Sequence, residues 1–190
     1  MRIESYNHNT YFGAKLINKV KVGKLDGSIY RQRAAYFVEL EPNLEEDYKA
    51  IKEIAKYWEK GKYVCNIANM ATSQRSFKDS NNNIKIYALT KQFNGNRGIN
   101  SDSILGITQV CEVRKGETTN VEYLETNPEF VYSMNREYKG VGKGILDSLK
   151  NLYQRIFLIA AKSKSVHDFY IKNGFTGYQG YFIWLKNFMI

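Results

Sequence analysis

Apolar positions along the chain recur with two periods, and the periods follow one another in a definite order. The run AAYFVEL at 34–40 reads as a buried strand. In the Glu41-Pro42-Asn43 segment that follows, Asn43 is placed to cap a helix, with Glu46 three residues on. Leu44, Tyr48, Ile51, Ala55 and Trp58 then recur at helical spacing, with acids in the first turn and Gly61 past the end. The polar stretch 78–83 is punctuation. Beyond it Ile84, Ile86, Ala88 and Thr90 alternate as in a strand, and a glycine- and asparagine-rich stretch (94–103) leads to a second strand over 104–113. Turn residues at 115–118 lead to a third over 120–127, so the three runs predict an antiparallel meander.

The pattern changes after Pro128. A loop reaches Gly140-Val141-Gly142-Lys143-Gly144, and Val141, Ile145, Leu149 and Leu152 form one helical stripe. A buried strand follows over 155–161. A short helix capped by Ser163 or Ser165 carries Val166, Phe169 and Tyr170 and stops at Asn173-Gly174, and a last strand spans 181–186. A meander followed by strand–helix–strand–helix–strand predicts an α/β (α+β) sheet with helices on its faces.

At 190 residues the chain suits a single domain, 1–190, in which residues 1–33 match no pattern; they read as a covering arm or an extra strand. The longest apolar run, 156–161, is far short of the roughly 20 residues that cross a bilayer. The start of the chain lacks the apolar stretch of a signal peptide, so a soluble, cytoplasmic protein is expected. Cys65 and Cys111 are expected to be reduced thiols packed as small hydrophobes, and with only His8 and His167 beside them no metal site is expected. The net charge is +9. Residues 131–190 hold 9 basic and 3 acidic side chains, which points to an anionic ligand at that end or to a charged, solvated surface.

The three glycines between a strand and a helix point to a phosphate, because backbone without Cβ approaches closely and a helix N-terminus offers free N–H groups. A P-loop fails here, since Gly144 stands where Ser or Thr is needed and Glu137 where the first glycine is needed. A dinucleotide fingerprint fails at Ile145. A third pattern fits. Gly140-Val141-Gly142, followed by Ile145-Leu146, resembles the acyl-CoA loop Gln/Arg-x-x-Gly-x-Gly/Ala of the GCN5-related N-acetyltransferase (GNAT) family. Leu124-Glu125-Thr126-Asn127-Pro128 is similar to that family's fourth-strand signature, and Phe169-Tyr170-Ile171-Lys172-Asn173-Gly174-Phe175 to its FYxKxGF motif. The resemblance follows element order over about 34–190, with an acyl-CoA-binding core at 120–176. It departs at Glu137, which holds the Gln/Arg position with Arg136 just before it, and at Ser163, where the family often has asparagine.

The resemblance implies a GNAT-like mixed, mostly antiparallel sheet whose fourth and fifth strands splay apart around acetyl-CoA. It implies that backbone groups of Leu124 and Thr126 pair with the pantetheine arm. The N–H groups of Lys139, Gly140, Val141, Gly142, Lys143 and Gly144 would hold the pyrophosphate, with Ser163 also on the cofactor. Lys143, Lys162 and Lys164 would answer remaining phosphate charge, or are solvated lysines. Tyr170 matches the tyrosine that protonates the leaving thiolate, the alternative being a packed helix tyrosine. A carboxylate on the fourth strand serves as base in some members: Glu122 first, then Glu125, either of which can equally be a surface acid. Strand alternation places Glu122, Leu124 and Thr126 on one face and Tyr123 and Glu125 on the other. His167 lies one helical turn before Tyr170, as a proton shuttle or a half-exposed histidine.

The expected activity is therefore acetyl-CoA-dependent N-acetylation of a primary amine by direct transfer. The acceptor, lying in residues 43–103 in this fold, matches no motif. Two other readings compete. One is a nucleic-acid-binding chain, including a basic toxin of this fold that acetylates aminoacyl-tRNA; Arg33 to Leu40 only faintly resembles an RNA-binding strand. The other is a CoA-binding member without turnover, suggested by Glu137. No membrane partner is expected. The chain reads as monomer or homodimer, with the apolar last strand able to pair across a dimer.

Overall fold

The computed structural model describes residues 13–58, 62–76, 83–95, 98–132 and 136–186. Among these residues nine strands and five α-helices follow one another as β1 (Lys15–Asp26), β2 (Ile29–Leu40), α1 (Glu45–Tyr57), α2 (Lys62–Ser76), β3 (Ile84–Thr90), β4 (Ile104–Arg114), β5 (Thr118–Thr126), α3 (Pro128–Tyr132), β6 (Tyr138–Lys139), α4 (Val141–Leu152), β7 (Arg155–Ile159), α5 (Lys164–Lys172), β8 (Thr176–Tyr178) and β9 (Tyr181–Leu185). All strands join one sheet in the order β6-β1-β2-β3-β4-β5-β7-β9-β8. The β5–β7 pair is parallel and the other pairs are antiparallel. The mixed, mostly antiparallel sheet and the β3–β4–β5 meander agree with the expectation from the pattern.

Two cores explain why helices cover both faces. Tyr87 and Leu89 of β3 face α4 and α5, in a core with Phe37, Leu105, Ile145, Leu146 and Leu149. Ile86 and Ala88, the alternate positions, face α1 and α2 and pack with Ile51, Ile54, Val64 and Ile67. From Ile86 to Leu89 the strand is buried on both sides and apolar at every position, which is why β3 alternates only weakly in polarity.

Three expectations need correction. First, of the two readings of the unassigned N-terminal stretch the extra strand is the one seen, as β1, and β2 begins at Ile29 rather than near 34, so the two form a long hairpin; residues 1–12, with His8, lie outside the described residues, as do Gly61 and 77–82. Second, Asn43 does not cap α1. Glu41 Oε1 holds the Asn43 side chain (3.1 Å), the helix begins after Leu44, and Leu44 provides no side-chain cap. Third, β9 is not an edge strand: Tyr181 to Ile183 pair with β7 on one side and β8 on the other, so this stretch has no free edge for a partner chain. Helix α2 escaped the pattern reading altogether. Its apolar stripe of Val64, Ile67, Ala68 and Ala71 is narrow and half alanine, with exposed Asn66 and Asn69 on the other face. Of the thiols, Cys65 is exposed rather than packed, and Cys111 is half-buried. Among the described residues no helix is long and apolar enough to cross a membrane.

The start of α1 carries an unusual buried charge. Asp47 is fully buried, its Oδ2 accepts the Glu41 N–H at 2.9 Å, and its Oδ1 has no partner. Burial pushes its pKa up to about 6, against the pull of that hydrogen bond. A carboxyl whose folded pKa lies above its unfolded value holds its extra proton in the folded state. Its contribution to stability is therefore complete at low pH and is lost as pH rises from about 4 through about 6. Asp47→Asn should remove that slope: the wild type gains about 2 kcal/mol between neutral pH and pH ~4.5 relative to the variant. Urea denaturation of both proteins at the two pH values checks this, and parallel responses would refute it.

Candidate functional site: a cleft between two splayed strands

The site begins with a fault in strand pairing. β5 pairs with β7 only from Thr118 to Val121, opposite Arg155 to Leu158. On its other side β5 pairs Tyr123 with Gln109 and Val121 with Val110, leaving Glu122 without a partner. This is a β-bulge, and a bulge bends its strand and increases the twist. Past it, β5 continues along β4 while β7 continues along β9, and a cleft of about 570 Å³ opens between them. The bulge also changes which way side chains face. Val121 and Leu124 both join the α4–α5 core, and Tyr123 joins the opposite one. Glu122 is exposed at the rim of the cleft rather than in step with Leu124.

The backbone of β5 has a free edge here. The Asn127 N–H donates to the Leu105 carbonyl at 3.0 Å, on the β4 side. Alternate residues of an antiparallel strand bond to the same neighbour, so Leu124 and Thr126, of opposite parity, turn their backbone groups to the cleft.

At the far end the cleft meets the start of α4. Gly140 is its N-cap, with φ 80°, a left-handed conformation that favours glycine. A Cβ on Gly142 would stand 3.1 Å from Phe169 Cζ and 3.7 Å from Thr126 Cγ2, so the missing side chain lets this turn sit against α5 and the end of β5. The Gly144 N–H is already used, donating to the Gly140 carbonyl at 2.8 Å. The N–H groups of Val141, Gly142 and Lys143, in the first turn, have no partner within the helix.

The structure sorts the predicted residues. Glu122, Leu124, Glu125, Thr126, Lys139, Gly140, Val141, Gly142 and Tyr170 all line the cleft. Lys143 and Gly144 face a neighbouring groove beside β1, and Lys143 pairs with Asp147. Ser163 is absent from the lining, where Ser165 stands instead. Lys162 and Lys164 are exposed and also outside the lining. Glu137 pairs with Lys24 at 3.6 Å, while its neighbour Arg136 lines the cleft and is tied down by the Tyr30 hydroxyl, which donates to its carbonyl at 2.6 Å. Sequence reading did not select Arg136, Ser165, Phe169 or Tyr63 as site residues. Arg136 was adjacent to a flagged position, whereas Tyr63 belongs to the helix that the pattern did not show.

Three ionisable side chains have well-defined surroundings. Tyr170 is buried in the cleft wall, its ring packed against Phe169, Phe175 and Phe182. Burial, with the nearby Tyr63, pushes its pKa up to about 12, so the hydroxyl keeps its proton through the physiological range. The Glu125 carboxylate accepts two backbone N–H groups at the start of α2, from Tyr63 (3.0 Å) and Val64 (2.7 Å). Burial nevertheless raises its pKa against those two bonds. An anion at a helix N-terminus is favoured by the dipole, so Glu125 joins α2 to β5. His167 is outside the cleft lining and turns its ring edge-on to Phe182 (5.3 Å), with Nε2 buried and unpartnered. Among the described residues no group of three or more His, Cys, Asp or Glu is placed to hold a metal ion.

No protein-family model and no curated protein matches the chain. Solved structures do. A protein of the GNAT family from Desulfovibrio desulfuricans is similar over 80% of this chain and 98% of its own, at 11% identity and a TM-score of 0.52. The N-acetyltransferase PseH of Campylobacter jejuni is similar over 78% of this chain and 94% of its own, at 16% identity and a TM-score of 0.48. YhhK of E. coli, solved with coenzyme A bound, is similar over 80% and 98%, at 18% identity and a TM-score of 0.47. Such identities speak to architecture alone, and the first match together with the strand order and the splayed β5–β7 pair establishes that this chain has the GNAT fold.

Proposed function

We propose that the protein is an N-acetyltransferase that uses acetyl-CoA and transfers the acetyl group directly to a primary amine. The observation that carries this reading is the cleft itself: a splayed strand pair with a free backbone edge, ending on the unpaired N–H groups of α4. The dimensions and chemistry suit the ligand. Backbone groups of Leu124 and Thr126 supply a ladder for the amides of the pantetheine arm. The N–H groups of Val141, Gly142 and Lys143, aided by the α4 dipole, receive the pyrophosphate. Arg136 adds the positive charge that Glu137 does not.

When bound, acetyl-CoA supplies an acyl group activated as a thioester. The amine must lose a proton to attack, and Glu122 at the rim is the nearest exposed carboxylate on β5 to accept it, directly or through water. As the C–N bond forms and the C–S bond breaks, the Tyr170 hydroxyl donates a proton to the departing sulfur. A tyrosine held protonated by burial is suited to that role. Glu125 is committed to α2 and serves as a positioning residue.

A second reading, in which the amine is carried on RNA, draws on one further feature. The register of the hairpin puts Lys19, Lys21, Gln32, Tyr30 and Tyr36 on one face with Lys139, and Asp147, paired with Lys143, is the acid in the groove that Lys21, Tyr30, Gln32 and Lys139 line. Lys19 and Lys139 lie over the rings of Tyr36 and Tyr30, at 5.5 and 3.8 Å. Binding of tRNA that weakens steeply with salt, and further in Lys19→Glu/Lys21→Glu, would support it.

The test of the main reading is calorimetric titration with acetyl-CoA, with CoA and a longer acyl-CoA as comparators. One-to-one binding is expected, lost in Gly142→Trp, whose side chain would fill the space between Phe169 and Thr126. No binding to any acyl-CoA would reject the proposal.

A further inference from the structure

The position of the reacting carbonyl follows from the phosphate end of the cleft. Gly142 approaches Thr126, so the phosphates belong beside Thr126 and the pantetheine arm runs back along β5 toward Val121, where β5 and β7 close together. At that closed end the cleft shares Val121, Glu122, Leu158 and Ile159 with a second groove, of about 650 Å³.

This groove lies on the other side of the sheet. Ile156, Leu158, Phe182 and Trp184 turn toward the α4–α5 core, so the alternate residues Phe157, Ile159, Tyr181 and Ile183 face away from it. Helices α1 and α2 pack on β2 to β5, and among the described residues no helix covers this face of β7, β9 and β8. Large apolar side chains are therefore in water: Ile159 is 72% exposed, Tyr181 65% and Tyr178 75%. Contiguous exposed apolar surface of this kind marks a place where something binds. The lining contains one charged side chain, Glu122, and it stands where the two cavities meet.

We propose that this groove, rather than the segment 43–103 expected from the sequence, is the acceptor site and that its substrate is a primary amine borne on a bulky apolar or aromatic group. The apolar body lies on Phe157, Ile159, Tyr181 and Ile183, and the ammonium is held at Glu122, which takes its proton as the nitrogen reaches the carbonyl. A small hydrophilic amine or a polyamine has nothing to bury there and meets a single carboxylate. The inference rests on the acetyltransferase reading, and its chemistry is that reading's own: C–N forms and C–S breaks, and of the two protons the ammonium nitrogen loses, the first goes to Glu122 before attack and the second, released as C–S breaks, replaces through solvent the proton that Tyr170 gives to the sulfur.

The experiment compares phenylalaninamide, glycinamide and spermidine as acceptors, following thiol release from acetyl-CoA. The expected result is a kcat/KM for phenylalaninamide at least about tenfold above that for glycinamide, the discrimination an apolar pocket provides for a group of this size. Ile183→Asn, which touches the groove but not the cofactor cleft, should raise the KM for phenylalaninamide about tenfold. It should leave the acetyl-CoA dissociation constant, measured by calorimetry, unchanged, and Ile183→Leu should restore the KM. Equal use of glycinamide, preference for spermidine, no turnover of any amine by protein that binds acetyl-CoA, or an unchanged KM in Ile183→Asn would each overturn the proposal. If sedimentation showed the wild type to be a dimer and Ile183→Asn a monomer of unchanged selectivity, the groove would be a self-association surface and the proposal would fail. Absence of acetyl-CoA binding overturns the acetyltransferase reading, and the acceptor site falls with it.

Discussion

Replacing Tyr170 by phenylalanine is expected to lower kcat by about 10²–10³-fold, within the range a positioned general acid contributes. The dissociation constant for acetyl-CoA should change by less than about twofold. The split follows from how the residue is held. Its ring makes the contacts with Phe169, Phe175 and Phe182, and phenylalanine preserves them, so the cleft wall keeps its shape. What is lost is one oxygen, whose proton burial retains to about pH 12. An effect on kcat without an effect on binding identifies an interaction made only in the transition state. The wild type should accordingly show no loss of rate from Tyr170 ionisation up to about pH 10. Single-turnover measurement on both proteins checks this. A variant within about threefold of wild type would mean that the thiolate takes its proton from water and that Tyr170 is only wall.

The second large effect is expected at Gly106 on β4, under the first turn of α4. A Cβ there would stand 2.9 Å from Val141 Cγ1, 2.9 Å from Ile145 Cδ1 and 3.2 Å from the Glu125 carbonyl. Ile145 ends in a movable methyl, but Val141 is stiff at χ1 and is the first residue of the helix. Gly106→Val therefore lifts the start of α4 away from the sheet. Over-packing of this kind costs about 2–3 kcal/mol of stability. The same displacement moves the N–H groups of Val141, Gly142 and Lys143, so acetyl-CoA affinity should fall by about tenfold or more in protein that is still folded. Urea unfolding and calorimetry separate the two effects. A destabilised variant with wild-type affinity would show that the phosphate end of the cleft does not depend on this seat.

Bulge and helix packing also explain which parts of the site were legible beforehand. The glycine turn and the FYIKNGF segment are local: their residue types are needed for a left-handed cap, a close approach and a buried aromatic, and those needs appear in a few consecutive letters. Residues placed from them, such as Gly140, Gly142 and Tyr170, do line the cleft. The side chains of other positions drawn from the same motifs lie outside that lining. Lys143 turns to Asp147, the Gly144 N–H closes the first helical hydrogen bond, and Ser165 rather than Ser163 reaches the lining.

From the amino-acid order alone came the fold class, the meander, the helices α1, α4 and α5 and the glycine turn that opens α4, because each depends on periodicity or on backbone demands within a short window. Three features were settled only by packing between distant segments. Arg136 and Lys139, rather than Lys162 or Lys164, bring positive side chains to the cleft lining, and Tyr30 of the β1–β2 hairpin holds the Arg136 backbone in place. Glu125 became a partner of α2, a helix 61 and 62 residues away along the chain. Glu122 was freed to stand at the junction of two cavities by a one-residue mismatch between β4 and β5. A mismatch in register exists only between two strands, so neither strand's own residues reveal it.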